Sequence, residues 1–189
     1  MTGVINITDY FFDAINTPSD VSEHIQTLYS FAKKCKHVTE FGFRTGVSTW
    51  ALLATIPKTL VSYDIFPCYF SEHARIAKEL NVDFSGCVGN TLSITIADTD
   101  LLFIDTLHNY AQLYAELMRH HTNVNQGGCI IMHDTHTFGK TDESGFSNGP
   151  QGLQQAISDF CRQHTEWSVC YHTNVNNGLT VLQRHPSND

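Results

Sequence analysis

Basic residues are scarce in this sequence. Against 19 Asp and Glu stand 11 Lys and Arg, which gives a formal net charge of −8 over 189 residues. A chain this acidic lacks the broad cationic surface that tracks phosphate backbones, so no nucleic-acid partner is expected. The six cysteines (Cys35, Cys68, Cys87, Cys129, Cys161, Cys170) form no C-x-x-C pair, and most lie in apolar stretches as small buried hydrophobes do. They read as reduced thiols of a cytoplasmic protein. The opening MTGVINITDYFFDAIN has neither a basic n-region nor an apolar h-region, and no run of about 18 apolar residues occurs. No secretion signal and no membrane span are expected. Internal repeats and low-complexity tracts are missing too.

What is present is 41% hydrophobic, enough for one domain with a substantial core. After a short lead with Tyr10, Phe11 and Phe12, the spacing of Val21, Ile25, Leu28, Tyr29 and Ala32 predicts a helix over about 20–34. Strands are predicted at about 37–43, 59–65, 82–88, 100–105 and 127–134, alternating with helices at about 48–55, 71–80, 110–121 and 151–163. Several of these strands are apolar throughout, which implies burial on both faces and hence a parallel sheet between helical layers. Trp167 to His172 and Gly178 to Gln183 are joined by Thr173-Asn174-Val175-Asn176-Asn177, too short for a helical crossover, so they are expected as an antiparallel pair. The segment from His136 to Gly152 is long, polar and glycine-containing, the composition of a functional loop.

The stretch from Val38 to Thr49 organises the rest. It reads as strand, glycine turn and helix start, with Glu40 two residues before Gly42, then Gly46, and Ser48 or Thr49 at the helix N-terminus. The spacing is G-x-x-x-G, not the G-x-G-x-x-G that seats a dinucleotide's pyrophosphate. An acid beside the glycines suits a cationic or hydroxyl-bearing ligand better than a phosphate, although a purely structural turn fits the same residues. Asp64, Asp105 and Asp134 end three further strands. In an open α/β sheet that is where ligands bind, and an acid ending the second strand is placed to grip both hydroxyls of a ribose. A solvated acid capping the next element is the alternative for Asp64.

Glu40-Phe-Gly42-Phe-Arg-Thr-Gly46-Val-Ser48-Thr49, Asp64, Ile104-Asp105-Thr-Leu-His108-Asn-Tyr110 and Gly127-Gly128-Cys-Ile-Ile-Met-His133-Asp134 together resemble the class I S-adenosylmethionine-dependent methyltransferases. The likeness is greatest to the branch with macrocin-type and rhamnosyl O-methyltransferases and cephalosporin-hydroxylase-like proteins. It implies an α/β three-layer sandwich with a Rossmann-like, mostly parallel seven-stranded sheet closed by a C-terminal antiparallel pair, and an O-methyltransferase acting on a small molecule or glycan. For S-adenosylmethionine it implies contacts from Glu40, Gly42, Gly46, Ser48, Asp64 and Asp105, with Asn90 near the adenine. It also implies a divalent metal, Mg or Mn, on Asp105 and Asp134 with His133 beside them, since a hard dication lowers a hydroxyl's pKa and fixes it in line with the methyl group.

Thr135 stands where catechol-type relatives carry Asn, and imidazole from His133 shifts preference toward Mn, Fe or Zn. His108 is the candidate general base, alternatively a structural partner of Asp134 or a helix cap. The loop at about 136–152 is the expected substrate lid, in which Phe138 and Phe146 would shelter the acceptor and Lys140, Asp142 and Glu143 would form a solvated face. Relatives often associate through the N-terminal helix or the lid, which leaves a homo-oligomer open. Two other readings stand beside this one: a non-catalytic S-adenosylmethionine-binding protein, and an NAD-binding oxidoreductase, disfavoured by Glu40 and the glycine spacing. Base methylation of nucleic acid lacks its N/D-P-P-Y/F motif, since Ile104-Asp105-Thr106-Leu107 occupies that place.

Overall fold

A computed structural model describes residues 6–143 and 152–186. The elements run α1 (Ile7–Asn16), a 3₁₀ turn (Ser22–His24), α2 (Ile25–Ala32), β1 (His37–Phe41), α3 (Val47–Leu53), β2 (Thr59–Asp64), α4 (Ser71–Glu79) and β3 (Asp83–Val88). They continue as β4 (Thr99–Ile104), α5 (Tyr110–His120), a second 3₁₀ turn (His121–Asn123), β5 (Val124–His133), α6 (Gly152–Gln163), β6 (Trp167–Thr173) and β7 (Leu179–Arg184).

The seven strands form one sheet in the order β3-β2-β1-β4-β5-β7-β6. The first five are parallel, and β7 lies antiparallel between β5 and β6. The apolar strands behave as predicted because each feeds two cores at once. Leu101 and Phe103 of β4 join the core under α1 to α4, whereas Leu102 and Ile104 join the one under α5 and α6. Cys129 and Ile131 of β5 face the first of these, and Ile130 and Met132 the second. A residue with no water on either face gains from being apolar at every position.

Two elements depart from expectation. The aromatic lead is a helix, α1, started by a capping box in which Asn6 accepts the N–H groups of Thr8 and Asp9 while Asp9 accepts that of Asn6. Tyr10 stacks on Trp50 of α3 with ring centroids 4.1 Å apart, so the lead is docked by its aromatics. The helix expected over about 20–34 begins as the 3₁₀ turn and becomes α-helical at Ile25. At that junction His24 is buried and donates from Nε2 to the carbonyl of Asn176 at 2.9 Å, tying it to the β6–β7 turn. Among the described residues no helix is long and apolar enough to cross a membrane.

The order of strands reverses between β1 and β4, and the helices that follow them, α3 and α5, pack into different cores. In an open α/β sheet the ligand crevice lies there, beyond the C-terminal ends of the parallel strands, and Glu40, Asp64, Asp105 and Asp134 are found at those ends.

Candidate functional site

The glycine turn is held by its neighbours on every side. The N–H groups of Gly42 and Phe43 donate to the carbonyl of Tyr63 at 2.9 and 3.2 Å, and the N–H of Arg44 donates to Asp64 Oδ2 at 2.7 Å. Asp64 Oδ1 accepts the N–H of Phe66 at 2.9 Å. The acid at the end of β2 therefore fixes the turn that follows β1 and presents its carboxylate beside it. Ile65, Phe66 and Tyr69 are exposed next to it, an apolar rim around a charged group.

Both glycines are required by the protein's own packing. Gly42 has φ +91°, and a Cβ there would overlap the backbone carbonyl of Asp105. Gly46, at φ +75°, would drive a Cβ to 2.5 Å from the ring of His73. That ring stacks on Trp50 and donates from Nε2 to the carbonyl of Gly46 at 2.9 Å, and burial pushes its pKa down to about 4. Glu40 and Ser48 lie beneath the turn, bonded to each other. Ser48, Thr49 and Ser62 donate their hydroxyls to the Glu40 carboxylate at 2.6, 2.7 and 2.5 Å, and the residue has no exposed surface. Burial, opposed by those three hydroxyls, raises its pKa to about 6. In this arrangement Glu40 and Ser48 shape the turn from below. Asn90 is exposed at the end of β3, and its side-chain oxygen accepts the N–H of Leu92 at 2.9 Å as part of a turn.

Across the crevice, β4 and β5 bring four ionisable side chains together. His108 Nε2 lies 2.9 Å from Asp134 Oδ2 and 3.3 Å from Asp105 Oδ1; His133 Nδ1 lies 3.2 and 3.3 Å from the same two atoms. Asp134 follows the last residue of β5 with φ +59°, a left-handed conformation that costs energy in a non-glycine residue. That break in the strand is what lets neighbouring His133 and Asp134 aim at one centre, which the alternation of a regular strand forbids. Thr135 turns into the core to accept a hydrogen bond from Thr180 at 2.9 Å, and exposed His136 stays outside the group.

Burial by itself would push both imidazoles down, but the hydrogen bonds and charges of Asp105 and Asp134 outweigh it and raise His108 and His133 to about 10. The two imidazoles in turn hold Asp105 and Asp134 below the usual carboxylate range despite burial. These carboxylates favour the protonated form of His108, the form that donates a hydrogen bond. Its bond to Asp134 is the structural partnership that was the alternative to a base.

Ligand atoms of Asp105, His133 and Asp134 all lie within 4.8 Å of one another. Two carboxylate oxygens and a ring nitrogen fit a divalent ion. A mixed oxygen and nitrogen set favours Mn, Fe or Zn over Mg.

The sequence hid several members of this site. Glu143, expected on a solvated face, has Oε2 3.2 Å from Nδ1 of His108, and its N–H donates to the His108 carbonyl at 2.9 Å. Phe138 stacks on the ring of His108, centroids 4.9 Å apart and nearly parallel. Phe146 and the rest of 144–151 lie outside the described residues. His24 meets His133 edge to face at 5.3 Å. Glu116 of α5 is fully buried and accepts from Thr91, Gln112 and Thr106, joining the loops that leave β3 and β4. Its signal was available: it is an acid on the same helical face as Leu113 and Leu117.

No protein-family model and no curated protein matches the chain. Solved structures do. A structural-genomics protein from Corynebacterium glutamicum superimposes with a TM-score of 0.67 at 18% identity, over 99% of this chain and 93% of that one. A candidate O-methyltransferase from Klebsiella pneumoniae gives 0.62 at 16% identity, over 95% and 88%. The N-methyltransferase NodS from Bradyrhizobium japonicum, in complex with S-adenosylhomocysteine, gives 0.62 at 14%, over 92% and 91%. The fold is thus the Rossmann-like, seven-stranded one that S-adenosylmethionine-dependent methyltransferases adopt.

Proposed function

We propose that this chain is an S-adenosylmethionine-dependent methyltransferase whose acceptor is a hydroxyl oxygen of a small molecule or glycan. The observation that carries the reading is the placing of two groups at the strand switch point: Asp64 bonded to the glycine turn, and the cluster of Asp105, His108, His133 and Asp134. The fold shared with methyltransferases, one of them bound to S-adenosylhomocysteine, supports it. The resemblance of the I-D-x-x-H-x-Y and G-G-x-I-I-x-x-D elements to the macrocin-type branch favours oxygen as the methylated atom.

In this reading Asp64 accepts hydrogen bonds from the ribose hydroxyls, the apolar rim of Ile65 and Phe66 covers the adenine, and Asn90 lies at its edge. Glu40 and Ser48 keep the turn in shape, and Gly42 and Gly46 let the methionine part run along bare backbone. Asp105, His133 and Asp134 would hold a divalent metal, which when bound supplies Lewis-acid activation of the acceptor hydroxyl. His108 would orient that hydroxyl and, in its neutral form, accept its proton, with Phe138 stacked on the ring.

A second reading, a binding protein without transferase activity, is favoured by one observation. Thr135 supplies no ligand, and both carboxylates are already matched by imidazoles. Calorimetric titration of metal-stripped protein with S-adenosylmethionine and S-adenosylhomocysteine, repeated with Mn²⁺ and Mg²⁺, separates these. Cofactor binding, followed by methyl transfer in a screen of hydroxylated acceptors, is the expected result. Binding without transfer under any metal condition would favour the second reading, and absence of binding would overturn both.

A further inference from the structure

At the opposite end of the sheet, three side chains that the proposed reaction does not use face one another. His121 follows the last turn of α5 and His164 the last turn of α6, while Glu166 immediately precedes β6. Because β7 runs antiparallel to β5, with Leu179 opposite His133 and Gln183 opposite Cys129, the end of β7 and the start of β6 lie where β5 begins. The crevice is at the other end of those strands.

Glu166 Oε1 lies 3.6 Å from His164 Nδ1 and 4.0 Å from His121 Nδ1, and one ligand atom from each residue falls within 4.8 Å of the others. His121 is 8% exposed, and its Nδ1 is buried without a hydrogen-bond partner. A buried ring nitrogen aimed at a second imidazole and a carboxylate, with no proton shared among them, is an incomplete polar group. The rings are held in place: Phe160 meets His121 edge-on at 5.4 Å and stacks on His164 at 4.8 Å. The backbone N–H of His164 donates to the Phe160 carbonyl at 2.9 Å and that of Trp167 to the His164 carbonyl at 3.0 Å, which fixes the short segment carrying Glu166.

We propose that His121, His164 and Glu166 bind a divalent transition-metal ion, with Zn²⁺ the best chemical fit, as a clasp joining the ends of α5 and α6 to the start of β6. Two imidazole nitrogens and one carboxylate oxygen form a set that zinc accepts, and hard Mg²⁺ or Ca²⁺ would take more oxygens. Bonds of about 2.0–2.1 Å in tetrahedral geometry put ligand atoms roughly 3.4 Å apart, so the ion would draw Glu166 Oε1 in from 3.6 and 4.0 Å and the two imidazoles in from a separation within 4.8 Å. Two helix C-termini converge there, and each favours positive charge. The nearest competing cation, Arg184, is tied to the carbonyls of Thr122 and Val124. Half-exposed Glu166 leaves an entry path and room for a water as fourth ligand.

The test is Zn²⁺ binding by equilibrium dialysis and thermal unfolding, on the wild type and on His164→Ala, Glu166→Gln and Asp105→Asn. His164→Ala and Glu166→Gln are each expected to lose one bound equivalent, which Asp105→Asn retains, whatever the crevice binds. At a hundredfold excess over Kd this equivalent should raise Tm by roughly 5–10 °C, a rise that disappears in both variants. Equal stoichiometry in the wild type and both variants overturns the proposal, as does retention of the full Tm rise. If His164→Ala does not fold, Glu166→Gln decides alone, because its side chain is more exposed and isosteric with the original.

Discussion

The Cβ that Gly42 lacks would overlap the backbone carbonyl of Asp105, so the turn after β1 and the acid after β4 occupy adjoining space only because residue 42 has no side chain. At φ +91° an alanine would also be strained in its own backbone. Gly42→Ala should therefore destabilise the fold by about 2–4 kcal/mol, lowering Tm by roughly 5–15 °C. Calorimetric unfolding checks this; an unchanged Tm would show that the two loops can separate freely.

Asp64 has both a structural and a proposed ligand role, and the two can be told apart. Asp64→Ala removes the acceptor for Arg44 and Phe66 and the proposed ribose contact. Affinity for S-adenosylhomocysteine should fall at least about tenfold, the worth of one hydrogen bond to a charged group. Asp64→Asn, which can still accept from one N–H, should keep the Tm but not the affinity. Undiminished binding in both variants would refute the ribose assignment.

Asp105 is shared by two imidazoles, and the charge it carries is what the proposed metal would use. Asp105→Asn should abolish methyl transfer to an acceptor found by screening, and weaken Mn²⁺ binding by about 100-fold, read from the free-ion signal in electron paramagnetic resonance. Turnover at the wild-type rate would remove Asp105 from the chemistry.

Glu40 predicts a pH dependence whose sign follows from burial. Its pKa is raised from 4.5 to about 6, so between those values the folded protein binds a proton that the unfolded chain has released. The group's contribution is greatest below the lower value and is lost as pH rises through the higher one, an effect of about 2 kcal/mol. In Glu40→Gln this slope should vanish. Urea unfolding of both proteins between about pH 4 and 7 gives the difference directly, and parallel curves would contradict the assignment.

The sheet was legible because its signal is local and repeated. Runs such as Leu101-Leu102-Phe103-Ile104 are apolar at every position, and each ends on an acid or a turn. The α1 helix was overlooked because its anchors are remote: Tyr10 needs Trp50, and Glu72 and Arg75 of α4 close over its hydroxyl. Asp64, Asp105 and Asp134 were legible as strand-terminal acids. Glu143 was not, since nothing in Asp142-Glu143 reports that the chain returns to His108 from 35 residues away.

The sequence by itself determined the α/β alternation, the antiparallel final pair and the row of acids at the strand ends, because each follows from periodicity or turn chemistry within a few residues. Only the tertiary structure decided which groups meet and in what charge state. It paired Glu40 inward with three hydroxyls, broke β5 at Asp134 so that His133 could join Asp105, and set His108 among carboxylates that raise its pKa. It also brought His121, His164 and Glu166 to one point. Those outcomes depend on distances across the fold, and a pKa depends on every charge within reach of it.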